Sequence, residues 1–312
     1  MDLTTDTSAA QSQRADYRGR FAPSPSGPLH FGSLVAAVGS FLAARSQGGE
    51  WLLRIDDVDP PRKVPGAADG ILRTLENYHL FWDGPVLYQS QRFDAYEAAL
   101  TQLAAADHSY PCGCTRREIS AISPTHIYPG TCRNGLPPGR QARALRVYCD
   151  EQDLCFDDSL QGRQCQRLGR DIGDFIVKRA DGLYAYHLAT ALDDAFQQVT
   201  EVVRGADLLD ATFPQLYLQR LLGLPRPAYL HLPVAVTAAG EKLSKQTHAR
   251  AIDDSPPGEA LGRALTFLDH PPPEDLHGAA PGELLDWAIA HWQPASLPRS
   301  KTLTIDTNET SS

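Results

Sequence analysis

The chain has 312 residues, of which 42% are hydrophobic, and a formal net charge of −9. This length and composition allow one large domain or two ordinary ones with a substantial core. The acidic balance excludes a protein that coats nucleic acid along its whole surface. The charge is uneven, because residues 116–179 carry 11 basic and 8 acidic side chains, whereas residues 251–312 carry 3 and 10. A polyanionic partner is therefore expected at the middle of the chain and not at its C-terminal part.

The N-terminal stretch MDLTTDTSAAQSQRADY is polar and lacks the apolar segment of a signal peptide. The longest apolar stretch, SLVAAVGSFLAA, is too short to span a bilayer. These features predict a cytoplasmic protein without membrane contact. Six cysteines in such a chain indicate metal binding or ordinary thiols ahead of disulfides.

The first predicted elements are the strand RGRFA, a helix from Gly32 to about Ser46, and the strand EWLLRID. Helices are predicted next over residues 65–78 and 92–106. Strand, helix and strand in that order favour a parallel α/β sheet. Between residues 109 and about 170 the chain is rich in Cys, Gly, Pro and Arg, which indicates an insertion.

After the insertion, DFIVKR and YAYHLA are predicted to be strands. Apolar residues at helical spacing between Phe213 and Leu222 predict another helix. Two modest helices are expected in the Pro-rich region after about Asp253. The last stretch, SLPRSKTLTIDTNETSS, is predicted to be a frayed tail.

The stretch RFAPSPSGPLHFGSL, residues 20–34, joins the first strand to the first helix through a turn with three prolines. Backbone N–H groups and the positive end of the helix dipole face such a turn, so it favours an anion. Gly27 and Gly32 leave room for a ligand near the backbone, and His30 can donate to a phosphate without a permanent charge. Taken alone, the stretch favours an ordinary strand-to-helix loop over an anion site.

A second segment, AGEKLSKQ, lies far down the chain and alone would be a solvated charge run. Together the two segments resemble the HIGH and KMSKS signatures of class I aminoacyl-tRNA synthetases. The matching residues are His30-Phe31-Gly32-Ser33 and Lys242-Leu243-Ser244-Lys245-Gln246. Their order and wide separation match as well, and RFAPSPSGPLHFGSL is closest to the glutamyl/glutaminyl branch.

The resemblance covers residues 19–250 and implies a Rossmann-type fold that binds ATP at the first strand–helix turn. It implies that a substrate carboxylate attacks the α-phosphorus of ATP, which releases pyrophosphate and leaves an aminoacyl adenylate. Mg²⁺ would accompany the ATP, and the reaction would depend on positioning and charge neutralisation. The residues implied in catalysis are His30, Lys242 and Lys245. Those implied in ATP binding are Gly27, His30, Gly32, Ser33 and Lys245.

The same resemblance implies glutamate as the amino acid. An arginine suits its side-chain carboxylate, and an acid suits its ammonium group. The residues implied in glutamate binding are Arg20, Phe21, Ala22, Pro23, Ser24, Asp56, Tyr186 and Arg204. The family often has Glu where this chain has Asp56, and the side chain shorter by one methylene leaves the strength of that contact open.

The insertion contains Cys112-x-Cys114 and, further on, Tyr128-x-x-x-Cys132. Three thiolates at this spacing suit a tetrahedral zinc site with one more ligand. Ligand chemistry favours His126 as the fourth ligand, whereas the resemblance to small synthetases favours Tyr128, which is the choice made here. Three unligated cysteines are the alternative, and Cys149, Cys155 and Cys165 are expected to be ordinary thiols. The zinc is expected to be structural.

Only 67 residues follow Lys245, and they are acidic and proline-rich, whereas a full glutamyl-tRNA synthetase continues with a large anticodon-binding region. This combination resembles the glutamyl-Q tRNA(Asp) synthetases. The resemblance implies tRNA-independent activation of glutamate and its transfer to the cyclopentenediol of queuosine in the anticodon loop of tRNA(Asp). A monomer is the expected state. The alternatives are a short true glutamyl-tRNA synthetase, a ligase with a non-tRNA acceptor, and an inactive paralogue that binds RNA or a regulator.

The expected organisation divides the chain into six parts. They are a flexible N-terminus (1–17), the first half of a Rossmann catalytic domain (18–108), a zinc-binding, acceptor-like insertion (109–170), the second half of the catalytic domain with the KLSKQ loop (171–252), a short helical region (253–295) and a flexible tail (296–312).

Overall fold

The computed structural model describes residues 17–125, 127–242 and 251–305. Two predicted site residues, His126 and Lys245, lie outside the described residues, as do Leu243, Ser244 and Gln246. Within the described ranges, no helix combines the length and the apolar composition needed to cross a bilayer.

The first strand–helix–strand unit confirms the sequence prediction. Strands β1 (Arg18–Phe21) and β2 (Glu50–Ile55) pair in parallel, and helix α1 (Phe31–Arg45) connects them. Helix α1 buries ten of its residues, as expected of a helix that is apolar on all faces. Gly39 allows α1 to approach the sheet closely, because a Cβ there would lie 2.5 Å from Leu232 Cδ1.

The other helices follow in chain order. They are α2 (Ala67–Asn77), α3 (Phe93–Ala105), α4 (Arg116–Ile122), α5 (Leu168–Asp171), α6 (Tyr186–Phe196), α7 (Leu209–Leu222), α8 (Pro257–Phe267) and α9 (Pro281–His291). The remaining strands are β3 (Leu87–Tyr88), β4 (Ser109–Cys112), β5 (Ala144–Val147), β6 (Asp153–Asp158), β7 (Gly162–Arg167), β8 (Ile176–Lys178), β9 (Glu201–Gly205), β10 (Ala228–Leu232), β11 (Val234–Val236) and β12 (Thr302–Thr304).

The centre of the fold is a parallel sheet in two parts. One part has the order β1-β2-β3, and the other has the order β7-β6-β10-β9, in which β7 alone is antiparallel. The two parts meet at β1, where the Thr200 N–H donates to the Arg18 carbonyl at 2.9 Å. The predicted parallel α/β core is thus confirmed. Within the predicted insertion, β4 and β5 form a separate antiparallel sheet with β8.

The hydrophobic core has two large clusters. One surrounds α1 and includes buried residues of β1, β2, α2, α8 and α9. The other lies between α3, α6 and α7 and includes residues of β6, β9 and β10. Because α8 and α9 pack on α1, the two C-terminal helices support the helix that starts at His30.

The strand prediction for YAYHLA was wrong, because α6 begins at Tyr186 in the middle of that stretch. Large apolar side chains at every second position, Tyr184, Tyr186 and Leu188, resemble the pattern of a strand over these few residues. The burial of Leu188, Ala189 and Ala191 shows the helical spacing that continues beyond it. The error matters because the start of α6 places Tyr186 in the cavity described below.

The prediction of a frayed tail was wrong for the part of residues 296–312 that the structure describes. Thr302–Thr304 form β12, which pairs in parallel with β11, and Leu297 is buried in the core around α1. The alternation in KTLTI is too short to distinguish a strand from a polar tail without knowledge of its partner. Residues 306–312 lie outside the described residues.

The expectation of ordinary thiols was wrong for Cys155 and Cys165, which form a disulfide. Strands β6 and β7 pair with these two residues directly opposite each other, at a Cα–Cα distance of 4.2 Å. Residues directly opposite each other on antiparallel strands are close enough in space to form a disulfide. Cys149 remains a free, buried thiol, as expected.

Candidate active site

His30 forms the N-cap of α1 in an extended conformation. Its Nδ1 accepts a hydrogen bond from the Ser33 N–H at 3.3 Å, and its carbonyl accepts from the Ser33 and Leu34 N–H groups. A neutral imidazole that accepts at Nδ1 carries its proton on Nε2. The cap therefore selects the tautomer in which His30 can donate through Nε2. The Ser33 N–H donates to His30 itself.

The proline turn is fixed from two sides by backbone hydrogen bonds. The Asp56 N–H donates to the Pro23 carbonyl at 3.0 Å, which ties the turn to the end of β2. The Ile252 N–H donates to the Leu29 carbonyl at 3.1 Å, and Ala251 forms a β-bridge with His30. Gly27 has a φ of 132°, a conformation that side chains disfavour.

The described residues on both sides of positions 243–250 are held by neighbouring parts of the fold. Ala251 directly follows residues 243–250 and pairs with His30. At the other end of these residues, Lys242 forms a β-bridge with Val236, and its Nζ makes an ion pair with Asp207. Lys245 lies between these two anchored ends and outside the part of the chain that the structure describes.

A cavity of about 390 Å³ opens beside the proline turn. Three of the predicted glutamate-binding residues line it: Ser24 from the turn, Asp56 from the end of β2, and Tyr186 from the start of α6. Four arginines and one further acid also line it, namely Arg62, Arg116, Arg146, Arg179 and Asp59. The cavity wall is therefore rich in positive charge.

A buried charge network connects the cavity with β1. Asp56 Oδ1 accepts from Arg54 Nε at 2.7 Å, and Arg54 Nη1 donates to Asp194 at 2.6 Å. Asp194 also accepts from Arg20 Nε at 3.1 Å. Burial raises the pKa of Asp56 to about 6 in spite of Arg54. Burial also opposes the ionisation of Asp194, but Arg20 and Arg54 lower its pKa to about 2.

Arg20 is thus not among the residues that line the cavity, because its guanidinium is used on Asp194 and on the Val203 carbonyl. Phe21 does not line the cavity either, and its side chain is buried in the core and stacks on Trp51. The Pro23 carbonyl accepts the hydrogen bond from the Asp56 N–H. Ala22 lies between Phe21 and Pro23, directly after the end of β1.

Arg204 differs from the other buried arginines in its partners. It is 5% exposed, and its Nη2 donates to Thr212 Oγ1 at 2.8 Å and Gln215 Oε1 at 2.9 Å. Its Nε donates to His231 Nε2 at 3.1 Å, and its Nη1 lies 3.4 Å from the Tyr186 hydroxyl. All of these acceptors are neutral.

Among the described residues, no carboxylate lies within ion-pair distance of Arg204, in contrast to Arg20 and Arg54. A buried charge without a counterion is costly, so such a group favours an anionic ligand. Tyr186 contacts Arg204 and lines the cavity. The structure therefore brings Ser24, Asp56 and Tyr186 to one cavity and places Arg204 in contact with Tyr186.

The predicted metal ligands also come together. The sulfurs of Cys112, Cys114 and Cys132 lie within 4.8 Å of one another, with 3.7 Å between Cys114 and Cys132. The Tyr128 hydroxyl lies 3.3 Å from the Cys112 sulfur and 3.6 Å from the Cys114 sulfur. A tetrahedral zinc with bonds of about 2.3 Å to sulfur and about 2.0 Å to oxygen requires separations of roughly 3.8 and 3.5 Å.

The three cysteines could thus hold a metal ion, and the Tyr128 hydroxyl lies at distances from two of the sulfurs that suit a fourth ligand. Burial raises the pKa of the Cys112 thiol, but Tyr128, the Cys114 backbone and Arg146 together bring it below its ordinary value. The Arg146 guanidinium stacks on the Tyr128 ring at 3.8 Å and lines the cavity as well. The alternative ligand, His126, lies outside the described residues.

Comparison with known proteins bears on the identity of this site. Residues 16–257 match the family model of tRNA synthetases class I (E and Q), catalytic domain. A glutamyl-Q tRNA(Asp) synthetase of Dechloromonas aromatica is 56% identical over 296 residues, which cover 93% of this chain and 98% of that protein. The chain belongs to the glutamyl-Q tRNA(Asp) synthetase family. It is accordingly an enzyme of the ligase type with a class I synthetase catalytic domain.

Other relatives agree with this assignment. A glutamyl-Q tRNA(Asp) synthetase of Pseudomonas aeruginosa is 50% identical over 289 residues, which cover 93% of this chain and 98% of that protein. The glutamate-tRNA synthetase of Elizabethkingia anophelis has a similar solved structure, with a TM-score of 0.78 at 22% identity. That alignment covers 94% of this chain and 69% of the other, and it supports the class I synthetase fold.

Sequence reasoning missed several residues that hold the site in place: Arg54, Asp158, Asp194 and His231. Arg54 in the apolar strand β2 and His231 in the apolar strand β10 were a visible signal, because a buried charged or polar group requires a partner. The partners themselves were not identifiable, since they lie on strands and helices distant in sequence. The pairing of His231 with Asp158, for example, depends on the order of β6 and β10 in the sheet.

Proposed function

We propose that this protein activates L-glutamate with ATP in the absence of tRNA and then transfers the glutamate to queuosine at the wobble position of tRNA(Asp). In the first step, a carboxylate oxygen of glutamate attacks the α-phosphorus, and pyrophosphate leaves. In the second step, a hydroxyl of the queuosine cyclopentenediol attacks the carbonyl carbon, an ester forms, and AMP leaves. The names of the relatives support the glutamate donor and the tRNA(Asp) acceptor.

The observation that carries the proposal for glutamate is the set of partners of Arg204. Its buried charge, supported by neutral acceptors and next to Tyr186 in the cavity wall, suits the side-chain carboxylate of glutamate. Ser24 and Asp56 line the same cavity and suit the ammonium group. Arg20 supports this arrangement through its ion pair with Asp194.

For the activation step, we assign phosphate contacts to the turn and the start of α1, namely Gly27, His30, Gly32 and Ser33, and to Lys242 and Lys245. His30 donates through Nε2, and the positive end of α1 favours the phosphate charge. Mg²⁺ accompanies the ATP and neutralises part of its charge. The arginines of the cavity wall, Arg62, Arg116, Arg146 and Arg179, suit the phosphates of an RNA acceptor.

We propose further that Cys112, Cys114, Tyr128 and Cys132 hold one structural zinc, which stabilises residues 109–170 next to the bound RNA. Because ATP and tRNA are consumed, we place the reaction in the cytoplasm, with the enzyme as a monomer.

The test of the function begins with ATP–pyrophosphate exchange in the presence of glutamate and without tRNA. Labelled glutamate and queuosine-containing tRNA(Asp) are then added to the same enzyme. Exchange without tRNA, followed by label in the anticodon loop, is the expected result. Exchange that requires tRNA(Glu), with label at the 3′ end, would instead show a glutamyl-tRNA synthetase. Exchange without any labelled tRNA would point to a different acceptor, and no exchange would contradict the proposal.

Replacing Cys112 with serine is expected to release the metal and destabilise the insertion, because a buried thiolate ligand is lost. Loss of a residue that only hydrogen-bonds to a metal ligand lowers metal affinity about 10- to 100-fold. Loss of a ligand itself should lower the affinity further. Metal content by mass spectrometry and thermal unfolding measure the effect. Cys149→Ser is the matched control, since Cys149 is buried but lies outside the cluster. Equal metal content in wild type and Cys112→Ser would refute the site.

A further inference from the structure

Arg204 is one end of a buried row of three hydrogen-bonded side chains on neighbouring strands, the others being His231 and Asp158. His231 on β10 lies directly opposite Arg204 on β9 in the parallel register. Its Nε2 accepts from Arg204 Nε at 3.1 Å, and its Nδ1 lies 2.6 Å from Asp158 Oδ2 at the end of β6. The side chains of His231 and Asp158 are fully buried.

The partners determine the protonation of His231. The Nε of arginine always carries a proton, so His231 Nε2 must accept, and the imidazole proton must lie on Nδ1 and be donated to Asp158. Burial and the charge of Arg204 keep the pKa of His231 below its ordinary value, although Asp158 raises it. His231 is therefore neutral. It lies between the negatively charged Asp158 and the positively charged Arg204.

This arrangement contrasts with that of Arg20, whose guanidinium is in direct contact with the Asp194 carboxylate. A carboxylate in direct contact with Arg204 would neutralise it and compete with a substrate carboxylate. A neutral imidazole in between orients the guanidinium and keeps the negative charge at a distance. We propose that Asp158 and His231 are positioning residues that orient Arg204 and keep its charge available for the substrate carboxylate.

The inference rests on the proposed role of Arg204 in glutamate binding and extends it to two residues that do not touch substrate. The geometry at Asp158 provides a sharp test. Its Oδ1 accepts three backbone N–H groups, from Leu160 at 3.1 Å, Gln161 at 2.8 Å and His231 at 3.2 Å. In Asp158→Asn, the amide oxygen must therefore stay at the Oδ1 position, and the amide nitrogen must face His231 Nδ1.

An amide nitrogen can only donate, so Asp158→Asn forces His231 Nδ1 to accept and moves the imidazole proton to Nε2. That proton then opposes the Nε proton of Arg204. The side chain at residue 158 keeps its size, while Arg204 loses its hydrogen bond to His231 and keeps those of its Nη2 to Thr212 and Gln215. The expected result is an increase of about 10- to 100-fold in the KM for glutamate, as for the loss of a hydrogen bond to a charged group. The KM for ATP should be unchanged.

The experiment combines ATP–pyrophosphate exchange with nitrogen-15 NMR of the histidine rings, in the full-length enzyme. The His231 signal is assigned by its disappearance in His231→Gln. Wild type should show the proton on Nδ1, and Asp158→Asn should show it on Nε2. Asp157→Asn is the matched control, because Asp157 is exposed on the same strand and should leave both readouts unchanged.

Two results would overturn the inference: a wild-type His231 with its proton on Nε2, or an inverted tautomer in Asp158→Asn with an unchanged KM for glutamate. The first is measured on the unsubstituted protein, so it holds even if the variant does not fold. Absence of glutamate-dependent exchange in wild type would refute the proposed function instead, and the NMR measurement would still report on the hydrogen-bonded chain.

Discussion

Replacing Arg204 with glutamine is expected to abolish efficient glutamate activation. The change removes a buried charge that we assign to the substrate carboxylate, and breaking such a pair costs about 3–5 kcal/mol, or roughly 10²- to 10³-fold or more in kcat/KM. The amide nitrogen of glutamine reaches the position of Arg204 Nε and can donate to His231 Nε2 in its place, so the fold is expected to persist. Steady-state ATP–pyrophosphate exchange with varied glutamate measures the effect, and thermal unfolding checks the fold.

The effect should be specific to the amino acid. The KM for glutamate should rise while the KM for ATP stays constant, and the preference for glutamate over glutamine should fall because the charge that distinguishes them is lost. Arg220→Gln is the control, since Arg220 lies on α7, pairs with Asp150 and is exposed to solvent. A variant at position 204 that keeps the wild-type KM for glutamate would remove Arg204 from the binding site.

Replacing His30 with asparagine is expected to separate the chemistry of this residue from its structural role. Asparagine is a good N-cap and can accept from the Ser33 N–H, so α1 should keep its start. It cannot replace the Nε2 donor, and removal of one donor to a transition state lowers kcat about 10²- to 10³-fold. ATP–pyrophosphate exchange and thermal unfolding provide the two measurements.

The comparison with His30→Ala completes that test. Alanine removes both the donor and the cap, and loss of a cap destabilises a protein by about 1 kcal/mol. The two variants should therefore share a low kcat but differ in stability, with the asparagine variant close to wild type. Full exchange activity in His30→Asn would show that His30 acts only as the helix cap.

The sequence predicted those parts of the fold that depend on local periodicity. Helices α1 and α7 show apolar residues at helical spacing over three or more turns, and both are found where expected. The start of α6 was predicted to be a strand because a few alternating residues fit a strand as well as the first turn of a helix. The residues of β12 were predicted to be a frayed tail because their alternation is too short to indicate a strand. Their structures are decided by contacts with distant elements, such as the pairing of β12 with β11.

The candidate site shows the same division. Individual site residues such as Ser24, Asp56 and Tyr186 followed from a family resemblance, and the structure brings them to one cavity. Arg20 was expected to contact substrate, but the structure shows its ion pair with Asp194, which no local pattern indicated. The cysteine spacing predicted a metal site and the family resemblance favoured Tyr128 over His126, while the distances of the Tyr128 hydroxyl from the sulfurs came from the structure.

The pairing of β11 with β12 has a consequence for the order in which the protein is made. Strand β11 precedes the segment that begins at Lys242, and β12 is its partner in a two-stranded sheet of the described chain. On the ribosome, β11 emerges long before residues 302–304, so its edge stays unpaired while the intervening helices are synthesised. The two-stranded sheet whose first strand precedes the KLSKQ segment is thus completed only late in synthesis, after the strands of the central sheet have emerged.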